Sequence, residues 1–127
     1  MGLILDTNAL SATAEGEPKV TAIVADARQI EIPVIVLGQY RFGIIGSKKH
    51  LVYERWLSAF ESDCWVLPVD QETAGVYALI REELKIKGRQ IPSNDVWIAA
   101  LAKQHKLPIL SRDRHFDFVS GLNRVNW

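Results

Sequence analysis

Short continuous apolar runs alternate along the chain with segments whose apolar residues recur at helical spacing. That alternation predicts an α/β fold around a mostly parallel sheet. Gly2-Leu3-Ile4-Leu5 is the first run, followed at once by Asp6, Thr7 and Asn8, and it predicts a strand buried on both faces. Pro18 suits the first turn of a helix in which Val20, Ile23, Val24 and Ala27 share one face. Ile30 to Ile32 predicts a second strand closed by Pro33. Val34 to Ile45 then reads as a helix with Leu37, Phe42 and Ile45 on its buried face, stopped at Gly46 and Ser47.

Lys48 to Glu61 predicts a further amphipathic helix with Leu51, Val52, Trp56, Leu57 and Phe60 inward. Cys64 to Val69 predicts a third strand, bent by Pro68. Asp70 is placed to cap a long helix, with Glu72 in its first turn complementing the helix dipole. Thr73, Tyr77, Ile80 and Leu84 form its stripe, and Gly88 ends it. After the Arg89–Pro92 loop, Ser93 or Asn94 caps a helix with Ile98, Leu101 and Ala102 inward, which ends at Gln104-His105. Leu107 to Leu110 predicts a fourth strand and Arg124 to Trp127 a fifth. No repeat, low-complexity tract or linker interrupts the 127 residues, so a single domain over 1–127 is expected.

Charge narrows the function. Fifteen Lys and Arg offset fifteen Asp and Glu, which argues against bulk electrostatic binding of nucleic acid or anionic membrane. A lone cysteine, Cys64, excludes an internal disulfide and a cysteine-based zinc cluster, and its apolar neighbours suit a structural thiol. No apolar stretch approaches the roughly 20 residues a membrane-spanning helix needs, and no secretory leader is visible, so a cytoplasmic location is expected.

The aspartates carry the chemical signal. Asp6 falls just past the first strand and Asp113 just past the fourth, at the carboxyl ends where open α/β sheets bind ligands. Asp95 lies in the first turn of the helix before that fourth strand, and Asp117 follows Asp113 by four residues. Each alone also suits a cap or a turn; together they bring three or four carboxylates to one sheet edge. Crowded carboxylates resist ionisation unless a cation neutralises them. Oxygen-only ligands suit a hard ion such as Mg²⁺ or Mn²⁺, which polarises phosphoryl oxygens and activates water.

Three segments resemble signatures of PIN-domain proteins, and in particular the VapC toxins of toxin–antitoxin pairs. They are Leu5-Asp6-Thr7-Asn8-Ala9-Leu10, Ile91-Pro92-Ser93-Asn94-Asp95-Val96-Trp97-Ile98-Ala99-Ala100 and Leu110-Ser111-Arg112-Asp113-Arg114-His115-Phe116-Asp117. The resemblance implies a three-layer α/β/α domain with a parallel sheet of about five strands, the first and fourth adjacent. It implies Mg²⁺- or Mn²⁺-dependent RNA cleavage, usually by a homodimer, and neutralisation by a small VapB-like antitoxin. Asp6 and Asp95 would be the principal metal ligands and Asp113 would complete the cluster. Thr7 and Asn8 would be polar supports, with Asp117 a weaker candidate.

One position departs from the pattern. Leu37-Gly38-Gln39-Tyr40-Arg41-Phe42-Gly43 has Gln39 where the family expects a glutamate. Glutamine keeps the shape and an acceptor oxygen but brings no charge and cannot act as a base. A second reading follows, a catalytically impaired module that binds RNA or antitoxin.

Basic residues are expected to steer substrate locally. Arg112 and Arg114 flank Asp113 and are the candidates for holding phosphates. Arg41, Lys48, Lys49 and His50, and Arg81, Lys85, Lys87 and Arg89, read mainly as solvated helix faces. Residues 1–63 carry six basic and eight acidic residues, and residues 64–127 nine and seven. Trp56, Trp65 and Trp97 read as core or dimer-interface residues, and His115 as structural. A phosphatase forming an aspartyl-phosphate on Asp6 is a further alternative, but such enzymes usually carry a second Asp two residues on, where this chain has Asn8.

Overall fold

In the computed structural model, which describes residues 2–127, strand β1 (Gly2–Leu5) is the central strand of the sheet. It has no polar side chain, and Leu3, Ile4 and Leu5 are buried, as a strand covered on both faces requires. α1 (Thr7–Ala14) and α2 (Pro18–Asp26) lead to β2 (Gln29–Pro33). α3 (Val34–Ile45) and α4 (His50–Glu61) lead to β3 (Trp65–Leu67). α5 (Gln71–Lys87) and α6 (Ser93–His105) lead to β4 (Ile109–Leu110). A short 3-10 helix (Arg114–Phe118) then precedes β5 (Arg124–Val125).

The strand order is β3-β2-β1-β4-β5 and every pairing is parallel. The chain moves outward from β1 through β2 to β3, then returns across β1 to β4. Parallel crossovers are right-handed, so this reversal puts α1 to α4 and α5 with α6 on opposite faces, giving an α/β/α sandwich. The reversal also leaves a switch point between β1 and β4. Ile4 pairs with Ile109 and Leu5 with Leu110, which brings Asp6 level with Ser111.

Local signals explain most boundaries. Asp70 accepts a hydrogen bond from the Thr73 amide at 3.0 Å while the Thr73 hydroxyl accepts one from the Asp70 amide at 3.1 Å, a reciprocal cap that starts α5. Gly88, at φ 68°, ends it in the left-handed conformation that glycine adopts without strain. Three expectations are corrected. α1 went unpredicted because Thr7–Ala14 is short and mostly small or polar, with only Ala9 and Leu10 buried. The start of α6 has Pro92 at its cap position and no side-chain cap, so neither Ser93 nor Asn94 serves. Strand β3 is shorter than Cys64–Val69 because it is the sheet edge and pairs only with β2.

Helix faces also differ from expectation. α3 buries Val36, Leu37, Tyr40 and Ile44, while Phe42 is 81% and Ile45 67% exposed. In α4, Leu57 is fully buried and Trp56 stacks on Phe60 with ring centroids 4.9 Å apart, but Leu51 and Val52 face outward. Apolar residues on α3 and α4 exceed what one buried stripe can take, so periodicity alone did not choose the inward set. Trp65 is likewise 65% exposed on the edge strand rather than in the core. Trp97 is half-buried, its ring 3.9 Å from that of Tyr77. Cys64 is half-buried, donates to the Phe60 carbonyl at 3.2 Å, and burial pushes its thiol up to about 11, as suits an inert side chain. Among the described residues no helix is long and apolar enough to cross a membrane.

The corrected faces make a direct forecast for urea unfolding. Leu57→Ala should cost about 2–5 kcal/mol, the range for emptying a packed leucine site. Leu51→Ala should stay within about 0.5 kcal/mol, as for a solvent-facing residue. Equal losses would place Leu51 inward, as the apolar spacing of this helix predicts.

Candidate metal centre

The carboxyl end of β1 is tied to that of β4 by side chains. The Asp6 amide donates to the Leu110 carbonyl at 3.1 Å, continuing the ladder one residue past the strand. Asp6 Oδ1 accepts from the Thr7 amide at 2.8 Å, which starts α1. Asp6 Oδ2 accepts from the Ser111 hydroxyl at 2.7 Å and from Asn8 Nδ2 at 3.3 Å. Ser111 Oγ in turn accepts from the Asp113 amide at 2.9 Å, and Asn8 Oδ1 from the Arg112 amide at 3.3 Å. A buried serine thus joins the first aspartate to the loop that carries the third.

Asp95, the third residue of α6, is buried at the same edge. Its position puts it at the electropositive end of the helix, where a carboxylate is favoured. Asp95 Oδ2 lies 3.0 Å and Asp113 Oδ1 3.1 Å from His115 Nδ1. Asp95, Asp113 and His115 each present one donor atom within 4.8 Å of the others, a spacing compatible with one metal ion. Asp6 is near enough that the charges of Asp95 and Asp113 both act on it.

Burial, followed by those neighbouring charges, raises the Asp6 pKa against the pull of the Ser111 and Thr7 hydrogen bonds. Burial also raises Asp95, with Asp113 adding to it and the His115 hydrogen bond opposing. The hydrogen bond to Asp95 raises His115, aided by both aspartate charges and opposed by burial. Hard oxygen donors, desolvated and mutually repelling, are the donor set that a divalent cation relieves, so the residues present fit such an ion.

The remaining sequence candidates divide. Gln39 is half-buried and its Oε1 accepts from the Thr7 hydroxyl at 2.7 Å, which places it against the N-terminus of α1 rather than in open solvent. Asp117 is drawn away from the cluster: both its oxygens accept from Arg124, at 2.8 and 2.9 Å, and this pairing lowers its pKa. Arg112 and Arg114 are exposed, the former with its guanidinium 4.6 Å from the centre of the Trp127 ring. Arg41 is engaged with Glu54 and Glu61, and Lys87 with Glu83.

Two residues of the site escaped sequence reasoning. Ser111 is fully buried, and its signal was a lone hydroxyl directly after an apolar parallel strand. His115, read from sequence mainly as structural, has its ring nitrogen beside the two carboxylates; no second histidine marked it, because its partners are aspartates.

Known proteins are similar to this chain in sequence and fold. A model of the PIN domain family matches residues 3–122. Ribonuclease VapC5 of Mycobacterium tuberculosis is 32% identical over 96% of this chain and 90% of its own. Toxin FitB of Neisseria gonorrhoeae is 32% identical over 98% and 96%. Among solved structures, that of VapBC2 from Rickettsia felis bound to a DNA fragment from its promoter superposes with a TM-score of 0.88, at 26% identity over 100% of this chain and 99% of the other. That of FitAcB from Neisseria gonorrhoeae gives 0.85 at 30% identity, over 98% and 96%. The chain belongs to the PIN-domain family, among its VapC- and FitB-type toxins. Membership sets aside the aspartyl-phosphatase alternative, and the Asn8 side chain, bridging Asp6, Ser111 and Arg112, has a structural task of its own.

The pKa shifts have a consequence for stability. With raised pKa values, folded Asp6 and Asp95 hold protons that the unfolded chain has released, so stability falls as pH climbs from about 4 through their folded values. His115, also raised, contributes stability that is complete below about pH 6.5 and lost as pH rises through its folded value. Both effects have one sign. In chelator, Tm should rise as pH is lowered from about 8 to about 5.5. Asp6→Asn should lift the chelated Tm at pH 8 by about 2–8 °C, the response to ~1 kcal/mol in a domain of this size. A lower Tm for Asp6→Asn would show that its hydrogen bonds outweigh the repulsion.

Proposed function

We propose that the chain is the metal-dependent endoribonuclease toxin of a toxin–antitoxin pair, a single PIN domain over residues 1–127 in which Asp6, Asp95 and Asp113 hold Mg²⁺ or Mn²⁺. The observation that carries this reading is the convergence of Asp95 and Asp113 on one point, beside a desolvated Asp6, at the switch point of a parallel sheet. When bound, a divalent cation offsets the carboxylate charge, polarises a phosphodiester oxygen and makes water acidic enough to attack at neutral pH.

The protein's own groups do the positioning. Ser111 and the Thr7 amide hold Asp6 with both oxygens oriented, so little reorganisation accompanies binding. Asn8 pins the Arg112 amide, and with it the loop carrying Asp113. Arg112 and Arg114, exposed beside the cluster, are the residues to meet the backbone phosphates of RNA. Gln39 adds no negative charge, so the site presents a weaker field to a cation than a glutamate would give. Its bond to Thr7 also makes it a support for the first turn of α1.

Relatives support the partners. Similar solved structures include a toxin–antitoxin complex from Klebsiella pneumoniae and VapBC-5 of Mycobacterium tuberculosis, a member of the VapBC family of toxin–antitoxin systems, and by likeness this chain pairs with a VapB-like antitoxin and forms a homodimer in the cytoplasm. Exposed Phe42, Ile45, Leu51 and Val52 supply apolar surface on α3 and α4 for such contacts. The second reading, an impaired RNA- or antitoxin-binding module, is favoured by one observation, the uncharged Gln39 bonded to Thr7.

Incubation with a mixed RNA pool separates the two readings. Cleavage that EDTA blocks and Mn²⁺ restores supports the nuclease, with Asp95→Asn losing more than the roughly 10–100-fold that removal of an outer-shell partner costs. Binding without cleavage supports the module. Gln39→Glu should strengthen Mg²⁺ binding and raise the cleavage rate, and no gain in either would remove Gln39 from the site. Arg114→Glu should weaken RNA binding and flatten the log–log salt slope by at least about 0.7, one phosphate contact to a single strand; an unchanged slope would take Arg114 off the RNA.

A further inference from the structure

The donor set at the sheet edge is not all oxygen. His115 Nδ1 is 3.0 Å from Asp95 Oδ2 and 3.1 Å from Asp113 Oδ1, with the ring pointing its nitrogen between the two carboxylates. Ligand atoms about 2.1 Å from an octahedral ion lie about 3.0 Å apart when they occupy adjacent positions. The nitrogen already stands at that separation from each of the two oxygens. The imidazole is held there by its own backbone as well, since the His115 amide donates to Asp113 Oδ1 at 3.0 Å. On the other side, Gln39 commits its oxygen to Thr7 and supplies no charge.

We propose that His115 is a direct nitrogen ligand of the metal, and that the site therefore selects first-row transition ions such as Mn²⁺ and Co²⁺ over Mg²⁺. This rests on the metal-site reading above and specifies which ion it takes. Mg²⁺ favours an all-oxygen octahedron, whereas imidazole binds Mn²⁺, Co²⁺ and Zn²⁺ more strongly in the Irving–Williams order. A site short of one carboxylate loses charge attraction for every divalent ion alike, but an imidazole returns affinity only to those that favour nitrogen. The 42% exposure of the His115 side chain leaves it free to make this adjustment without disturbing the core.

Electron paramagnetic resonance of Mn²⁺ titrated into the full chain reads affinity and ligand type together, and Mg²⁺ competition gives the second affinity. The expected result is ¹⁴N coupling on bound Mn²⁺ in the parent chain and its loss in His115→Ala. That variant should also bind Mn²⁺ about tenfold more weakly while Mg²⁺ affinity changes less than about twofold. Absence of ¹⁴N coupling in the parent, or equal loss of both affinities in the variant, would overturn the proposal. Either result would make His115 an orienter of Asp95 and leave the metal-dependent nuclease intact. Failure of both ions to bind the parent chain would overturn the metal site itself, and this ligand with it.

Discussion

Repulsion among desolvated carboxylates is the constraint around which this structure is organised. Asp6, Asp95 and Asp113 come from two strand ends and a helix start, and nothing in a neutral apolar core would gather them. They are held together by hydrogen bonds that each accepts from a neighbour: Asp6 from Ser111 and Thr7, Asp95 from the His115 ring, Asp113 from the His115 amide. Ser111 is the hinge of the set. It donates to Asp6 and accepts from the Asp113 amide, so one buried hydroxyl fixes both the first strand end and the loop after the fourth. Buried polar groups of this kind are costly unless fully paired, which makes the network a determinant of geometry as much as of stability.

The fold was legible where local chemistry was strong. β1 stood out as an uninterrupted apolar run ending in Asp6, and α5 as a segment between Asp70 and Gly88; capping and chain reversal are local and leave their residues in the sequence. What periodicity could not settle was which side of α3 and α4 turns inward. Both helices carry apolar residues on more than one face, and the choice of Leu57 over Leu51 depends on the neighbouring helices. α1 was silent for the opposite reason, having too little apolar surface to mark a face.

The site was partly legible in the same way. Asp6 and Asp113 could be placed at strand ends from sequence, and Asp95 at a helix start. Ser111 and His115 could not be assigned, since their roles exist only across sequence separations of 105 and 20 residues. Asp117 was the weaker candidate from sequence, and Arg124, reaching back from β5, takes both of its oxygens. Net neutrality hid all of this. The fifteen-to-fifteen balance counts charges without saying that several acids share one edge, or that a glutamine sits where one more would be.

The strand order has a temporal meaning. β4 docks beside β1 although more than a hundred residues separate Leu5 from Leu110. Loop closure over that span comes late and is slow compared with helix formation. During synthesis β1, β2 and β3 can meet first, while Asp6 waits without Ser111, Asp95 or Asp113. A ribosome making this chain therefore carries an incomplete centre for most of elongation, and the centre is assembled only after the last third of the sequence has emerged. The return crossover thereby leaves the centre unassembled until most of the polypeptide that carries it has been made.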